Sequence, residues 1–260
     1  MKTYDVEIGR ICEFIKEYVT ESKTKGIVIG LSGGLDSAVV TALAVKALGP
    51  ERVYCYYLPY GTKKKDLAQT HAKLICKNLN LTLIEEDIKT TVDTVCSAQI
   101  VSSQSNQLSI GNIKSRLRMI MLYHIAQMKC SLVFGTTNHS EWNTGYFTKY
   151  GDGGCDIEPI IHLYKTEIFE LAKHLGIPDE IINKQPSAEL WEGQTDEKEL
   201  GITYKKLDRV LMMFGGEHGV FFSINNIESY EITMDDIKHV ARLVDNSKHK
   251  RRLPPCLERE

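Results

Sequence analysis

Gly26-Ile27-Val28-Ile29-Gly30-Leu31-Ser32-Gly33-Gly34-Leu35-Asp36-Ser37 is the stretch on which the fold of this chain turns. Ile27, Val28 and Ile29 are apolar and β-branched, the composition of a buried strand, and a helical pattern begins near Ala38 after one short loop. Gly33 and Gly34 carry no Cβ, so the loop backbone can come close to an anion. The amides and positive dipole end of the following helix then face that anion. Ser32 and Ser37 add hydroxyl donors, whereas Asp36 repels a bare phosphate unless a cation lies between them, so magnesium is expected there. No lysine precedes a hydroxyl residue as Gly-x4-Gly-Lys-Ser/Thr requires, which separates this loop from that of the common nucleotide hydrolases.

Working outward, strands alternate with helices. Tyr4, Ile8, Ile11, Ile15 and Val19 recur every three or four residues and predict an amphipathic helix over the first twenty. A helix over 38–48 stops at Gly49-Pro50, strands are expected at 52–58, 81–84 and 132–135, and helices at 63–79 and 166–175. Crossovers of this length imply parallel pairing, with ligands at the carboxyl ends of the strands, where the glycine loop sits. The polar segment 97–109 has no clear periodicity and reads as including a mobile loop. After it, Met119, Leu122, Tyr123 and Ala126 continue a helix that would carry its basic groups in the first turns, where they oppose the dipole. Arg116 or Arg118 would suit a carboxylate or phosphate outside the helix, and a solvated charged helix edge is the alternative.

Composition limits the choice of class. The chain has 260 residues, 42% hydrophobic and 25% charged, enough for one substantial core and one α/β domain. Its formal charge, 32 − 34 = −2, calls for neither nucleic acid nor anionic lipid as a partner. No apolar run approaches the ~20 residues of a membrane span, and the charged N-terminus is no signal sequence, so a cytoplasmic protein is expected. The seven cysteines are odd in number and hold no Cys-x-x-Cys pair, against a disulfide framework or zinc knuckle; most should be small buried hydrophobes.

Two later stretches carry ligand chemistry. The 132–135 strand ends at Thr136-Thr137-Asn138-His139-Ser140-Glu141, where Glu141 can join Asp36 on magnesium. Then Gly145-Tyr146-Phe147-Thr148-Lys149-Tyr150-Gly151-Asp152-Gly153-Gly154-Cys155-Asp156 combines glycines for close backbone approach with aromatic faces for a ring or base.

The octet from Gly30 to Ser37 resembles the Ser-Gly-Gly-x-Asp-Ser loop of the ATP pyrophosphatase superfamily, whose members cleave ATP between its α and β phosphates. With the stretches 111–116, 136–141, 145–156 and 186–201 and the pair His249-Lys250, the chain resembles the ammonia-dependent NAD synthetases. The matching motifs lie between Gly30 and Lys250 in the family's order. The resemblance implies a doubly wound α/β homodimer with a five-stranded parallel sheet, which amidates nicotinic acid adenine dinucleotide (deamido-NAD) with ATP and ammonia to give NAD, AMP and pyrophosphate. It also implies roles. Gly30, Leu31, Ser32, Gly33, Gly34, Leu35, Asp36, Ser37, Thr136, Lys165 and Ser187 would bind ATP, and Asp36 and Glu141 would hold Mg2+. Arg116, Lys149, Asp156, His249 and Lys250 would contact deamido-NAD, with Asp36, Lys165 and Asp156 catalytic and Asp156 orienting ammonia or taking its proton. Leu35 departs from the polar or small residue more usual there, and its side chain is expected to point away from phosphate.

Some members carry a glutaminase domain; about 25 residues before the loop are too few for one, so free ammonia or a separate amidotransferase is the expected nitrogen source. The nearest rivals are adenylating enzymes of tRNA modification, which would show a basic surface or paired cysteines. A non-catalytic nucleotide sensor would more readily lose Asp36, Glu141 or Lys165, and all three are present.

Overall fold

A computed structural model describes residues 4–61, 66–98, 106–191, 193–214 and 232–257. Helix α1 (Tyr4–Glu21) leads into β1 (Gly26–Gly30), α2 (Leu35–Leu48), β2 (Val53–Tyr57), α3 (Leu67–Asn78), β3 (Leu83–Glu85) and α4 (Lys89–Ser97). Then follow α5 (Gln107–Lys129), β4 (Ser131–Phe134), α6 (His139–Thr144), α7 (Lys165–His174), α8 (Asp179–Ile182), α9 (Asp196–Leu200), α10 (Tyr204–Met213) and α11 (Met234–Ser247), with a 3-10 turn at Lys248–Lys250. The strands lie in the order β3-β2-β1-β4, all parallel, and Ile27 stands opposite Val53 on one side and Leu132 on the other.

β1 is central and buried on both faces. Ile27 and Ile29 face one core with the apolar sides of α1, α2, α3 and α7, while Val28 faces a second core with Ile88, Val92, Ala126 and Val133. The period of two along the strand thus sorts its residues between two helical layers, the doubly wound arrangement the alternation predicts. Burial on both sides also explains why α2 has no polar face to show: eleven of its fourteen residues are buried, Ser37 and Thr41 among them.

The expected fifth strand is absent among the described residues. After β4 the chain returns through the 145–156 loop and touches the sheet at a single parallel bridge, Phe134 to Ile157. Gly135 N donates to Ile157 O and Asp156 N to Val133 O, and Pro159, with no N–H, cannot extend the ladder. The third strand runs later than expected because α3 is closed by Asn80 in the left-handed region, with Leu81 N bonded to Cys76 O.

Helix α5 starts earlier than its apolar pattern suggests. Asn106 caps it, accepting from Ser109 N while the Ser109 hydroxyl accepts from Asn106 N. Arg116 and Arg118 consequently sit in its third and fourth turns, beyond the reach of the dipole's end, and they do not oppose the dipole. Residues 99–105 of the expected loop and 63–65 of the expected helix lie outside the described residues. Of the seven unpaired cysteines only Cys12, Cys55 and Cys76 are buried, fewer than expected.

Candidate active site

The glycine loop between β1 and α2 opens a cavity of about 940 Å³ at the carboxyl edge of the sheet. Gly33 has φ +76°, and a Cβ there would lie 2.1 Å from Ala68 O, so the turn against α3 needs glycine. The Ser32 and Ser37 hydroxyls are 3.1 Å apart, with Ser37 donating to Gly34 O, which fixes the loop's curvature. Gly30, Ser32, Gly34, Leu35, Asp36 and Ser37 line the cavity. Leu31 is fully buried and belongs with Leu35 to the main core, and Gly33 lies behind the surface.

At the floor stands a buried ionic cluster. Lys165, the first residue of α7 and 3% exposed, bonds through Nζ to Asp36 Oδ2 and lies 3.6 Å from Glu141 Oε1. Asn138 joins the two acids. Its Nδ2 donates to Asp36 Oδ1 at 3.0 Å, while its oxygen and main-chain N form the capping box of α6 with Glu141. Burial alone would push Lys165 down, yet Asp36 and Glu141 outweigh it and hold the ammonium well above its usual range. Glu141 is pushed far up, first by burial and then by repulsion from Asp36. Asp36 and Glu141 are two carboxylates on this one lysine, and a divalent cation suits that local excess of negative charge. Two carboxylates beside a phosphate loop fit what magnesium takes, one or two carboxylates with phosphate and water completing its shell.

Lys165 is positioned from below. The Ser140 hydroxyl accepts from Lys165 N at 2.9 Å and donates to Asp208, which also accepts from Thr166 N. Asp208 is 1% exposed, and burial pushes it up to about 6. Sequence reasoning missed Ser140 and Asp208 in this role, since α10 reaches α7 only in the folded chain.

The opposite side carries the cationic residues of the 145–156 loop and the C-terminal turn. Arg116 donates to Lys149 O from two nitrogens, Lys149 Nζ to His249 O at 2.6 Å, and Lys250 Nζ to Gly145 O and Phe147 O at 2.7 Å. Four residues separated by up to 134 positions are thereby gathered on one short loop, whose glycines are needed: a Cβ at Gly145 would lie 2.2 Å from Ser247 Cβ. Thr136 and Ser187 line the cavity, Ser187 donating to Gln194 O at 2.7 Å. Lys114 and Arg118 also line it, Arg118 with Nε on Leu58 O and lowered by burial, Lys114 with Nζ on Leu190 O and 3.9 Å from the Tyr60 ring centre. Lys114 was missed because its partner lies 76 residues away.

Of the five residues expected at deamido-NAD only Lys250 lines the cavity; Arg116, Lys149 and His249 do not, and neither does Asp156. Its carboxylate accepts from Val133 N at 2.8 Å and from the Tyr123 hydroxyl at 3.1 Å, so it secures the sheet edge and stands outside the cavity lining. The structure does not bring it to the ammonia-handling place that the motif implies.

A doubly wound parallel sheet, a glycine-rich phosphate loop at its carboxyl edge and a buried lysine bridging two carboxylates define an adenylating protein of the ATP pyrophosphatase class. The NAD synthase family model matches residues 7–254, and the chain belongs to that family. It is 45% identical to the NH(3)-dependent NAD(+) synthetase of Thermococcus sibiricus over 252 residues, 96% of each chain, and 43% identical to that of Methanocaldococcus jannaschii over 253, again 96% of each. Among solved structures it resembles NMN synthetase from Francisella tularensis (TM-score 0.85, 32% identity, 99% of each chain). It also resembles NH3-dependent NAD synthetase from Campylobacter jejuni in complex with nitrate (TM-score 0.80, 30% identity, 99% of this chain and 100% of that one).

Proposed function

We propose that this protein is a ligase that forms the carboxamide of NAD from deamido-NAD, ATP and ammonia, releasing AMP and pyrophosphate. The observation that carries the reading is the Lys165–Asp36–Glu141 cluster set at the phosphate loop, in one cavity with Lys250 on its far side. The reaction needs that separation. A carboxylate is a poor electrophile, so its oxygen first attacks the α phosphorus of ATP, and the bond to pyrophosphate breaks. Ammonia nitrogen then attacks the acyl carbon, the bond to AMP breaks, and nitrogen sheds a proton. Lys165, fixed at both its ammonium and its main-chain N, faces the charge that grows as pyrophosphate leaves. Asp36 and Glu141 would hold magnesium, which when bound offsets phosphate charge. Arg116, Lys149, His249 and Lys250 would take the dinucleotide, and Ser32, Ser37, Thr136 and Ser187 the ATP.

We take the protein as one catalytic domain working as a cytoplasmic homodimer on free ammonia, with no nucleic acid or membrane partner and with a separate amidotransferase as an alternative source. Exposed Ile120 and Met128 on α5 support a partner surface, and no described helix is long and apolar enough to cross a membrane. A quench assay with magnesium, ATP and ammonium tests the reading. Equal NAD, AMP and pyrophosphate from deamido-NAD, with little from glutamine, supports it. The likeness to an NMN synthetase makes nicotinic acid mononucleotide the parallel tube: turnover there in preference to the dinucleotide would move the substrate, and no AMP from either would end the reading.

A further inference from the structure

We propose that the nitrogen donor binds as an ammonium ion at Asp196 Oδ1, beside the Tyr146 hydroxyl, and gives one proton to that carboxylate, which frees the lone pair that attacks the acyl carbon; the proposal rests on the amidation reading above. Asp196 opens α9 and is 4% exposed, yet it lines the cavity that contains Lys165. Its Oδ2 accepts from the Tyr204 hydroxyl at 3.0 Å, and its Oδ1, equally buried, has no hydrogen-bond partner. A buried acceptor in this state calls for a donor.

The surroundings narrow what that donor is. Lys165 is not available, because its ammonium is bound by Asp36 and faces Glu141. Tyr146 lies within hydrogen-bonding reach of Asp196, but its one hydroxyl proton goes to Glu199 at 2.5 Å, which leaves the phenol oxygen as a further acceptor. The wall therefore offers an anionic oxygen and a phenol oxygen, which together suit a small cation with N–H groups. A divalent metal would need more oxygen ligands than the single open carboxylate oxygen of this wall gives. The arginine and lysines of the opposite side suit an anion and leave this wall as the cationic counterpart. Asp156, the other acidic residue considered for ammonia, has both oxygens engaged by Val133 N and Tyr123.

The test separates ammonium binding from adenylation. In Asp196→Asn, the KM for ammonium should rise at least about tenfold, the loss expected of a hydrogen bond to a charged group, while deamido-NAD-dependent exchange of pyrophosphate into ATP, run without ammonium, keeps its wild-type rate. An unchanged ammonium KM overturns the proposal, as does a parallel fall in exchange accompanied by an unchanged ammonium KM in Tyr146→Phe. That second variant removes a hydroxyl from the same wall and its bond to Glu199 while leaving Asp196 in place, and its ammonium KM should rise about threefold. Absence of exchange in the wild type would instead defeat the amidation reading, and this proposal with it.

Discussion

Replacing Lys165 with Met removes the cation from between two carboxylates while keeping most of the side chain's volume. At 3.6 Å, the attraction between Lys165 and Glu141 is about 5 kcal/mol at an effective dielectric of 20. Desolvation of the ammonium offsets part of this, so the net loss of stability should be about 3 kcal/mol. Catalysis should suffer separately. A preorganised donor facing a departing anion is worth roughly a hundred- to a thousandfold in rate, so pyrophosphate exchange should fall by about that factor, with the Kd for deamido-NAD changing little. The assays are denaturant unfolding, exchange kinetics and equilibrium binding of deamido-NAD to one preparation. Equal losses in exchange rate and deamido-NAD affinity would make Lys165 a binding residue, and unchanged stability would refute the ion-pair reasoning itself.

Asp36→Ala should keep the fold, judged by circular dichroism, and abolish turnover; wild-type activity would sink the assignment of Asp36 to the metal. Gly33→Ala should cost about 2 kcal/mol or more, since it combines left-handed backbone with a Cβ 2.1 Å from Ala68 O, and an unshifted denaturation midpoint would refute the close approach. Glu158 accepts from Thr137 N at 3.1 Å and Cys155 Sγ at 3.2 Å, and burial pushes it from 4.5 up to about 7. Its folded pKa is raised, so its stabilising contribution is complete below pH 4.5 and is lost as pH rises through 7. Glu158→Gln should therefore lessen the loss of stability between pH 5 and 8 by about 3 kcal/mol, and melting curves with the same pH slope as wild type would contradict this.

The strand–loop–helix unit at residues 26–48 was legible because local chemistry dictates it: β-branched residues, then glycines, then an apolar helix. The layering followed from alternation and crossover length. The fifth strand was not legible, because whether Ile157 extends a ladder depends on how the loop before it returns and on Pro159 after it. The start of α5 had a readable signal in Asn106 and Ser109, three apart, but the apolar spacing outweighed it. In the site, the acids and lysine of the motifs do converge. What no pattern conveys is which oxygen is already occupied: Asp156 and Asp196 look alike in one dimension, yet the fold engages both oxygens of the first and leaves one of the second open.

The wiring of the cationic side has a kinetic consequence. Arg116, Lys149 and Lys250 are held by main-chain carbonyl oxygens, which fix geometry but cancel no charge. Had carboxylates held them, the same precision would have erased the local potential. As built, their field extends into solvent over about a Debye length, roughly 8 Å at physiological salt, and draws polyanions toward the mouth before any contact forms. Encounter with a dinucleotide should thus slow as ionic strength rises, while the enclosed ion pairs around Lys165 are screened much less.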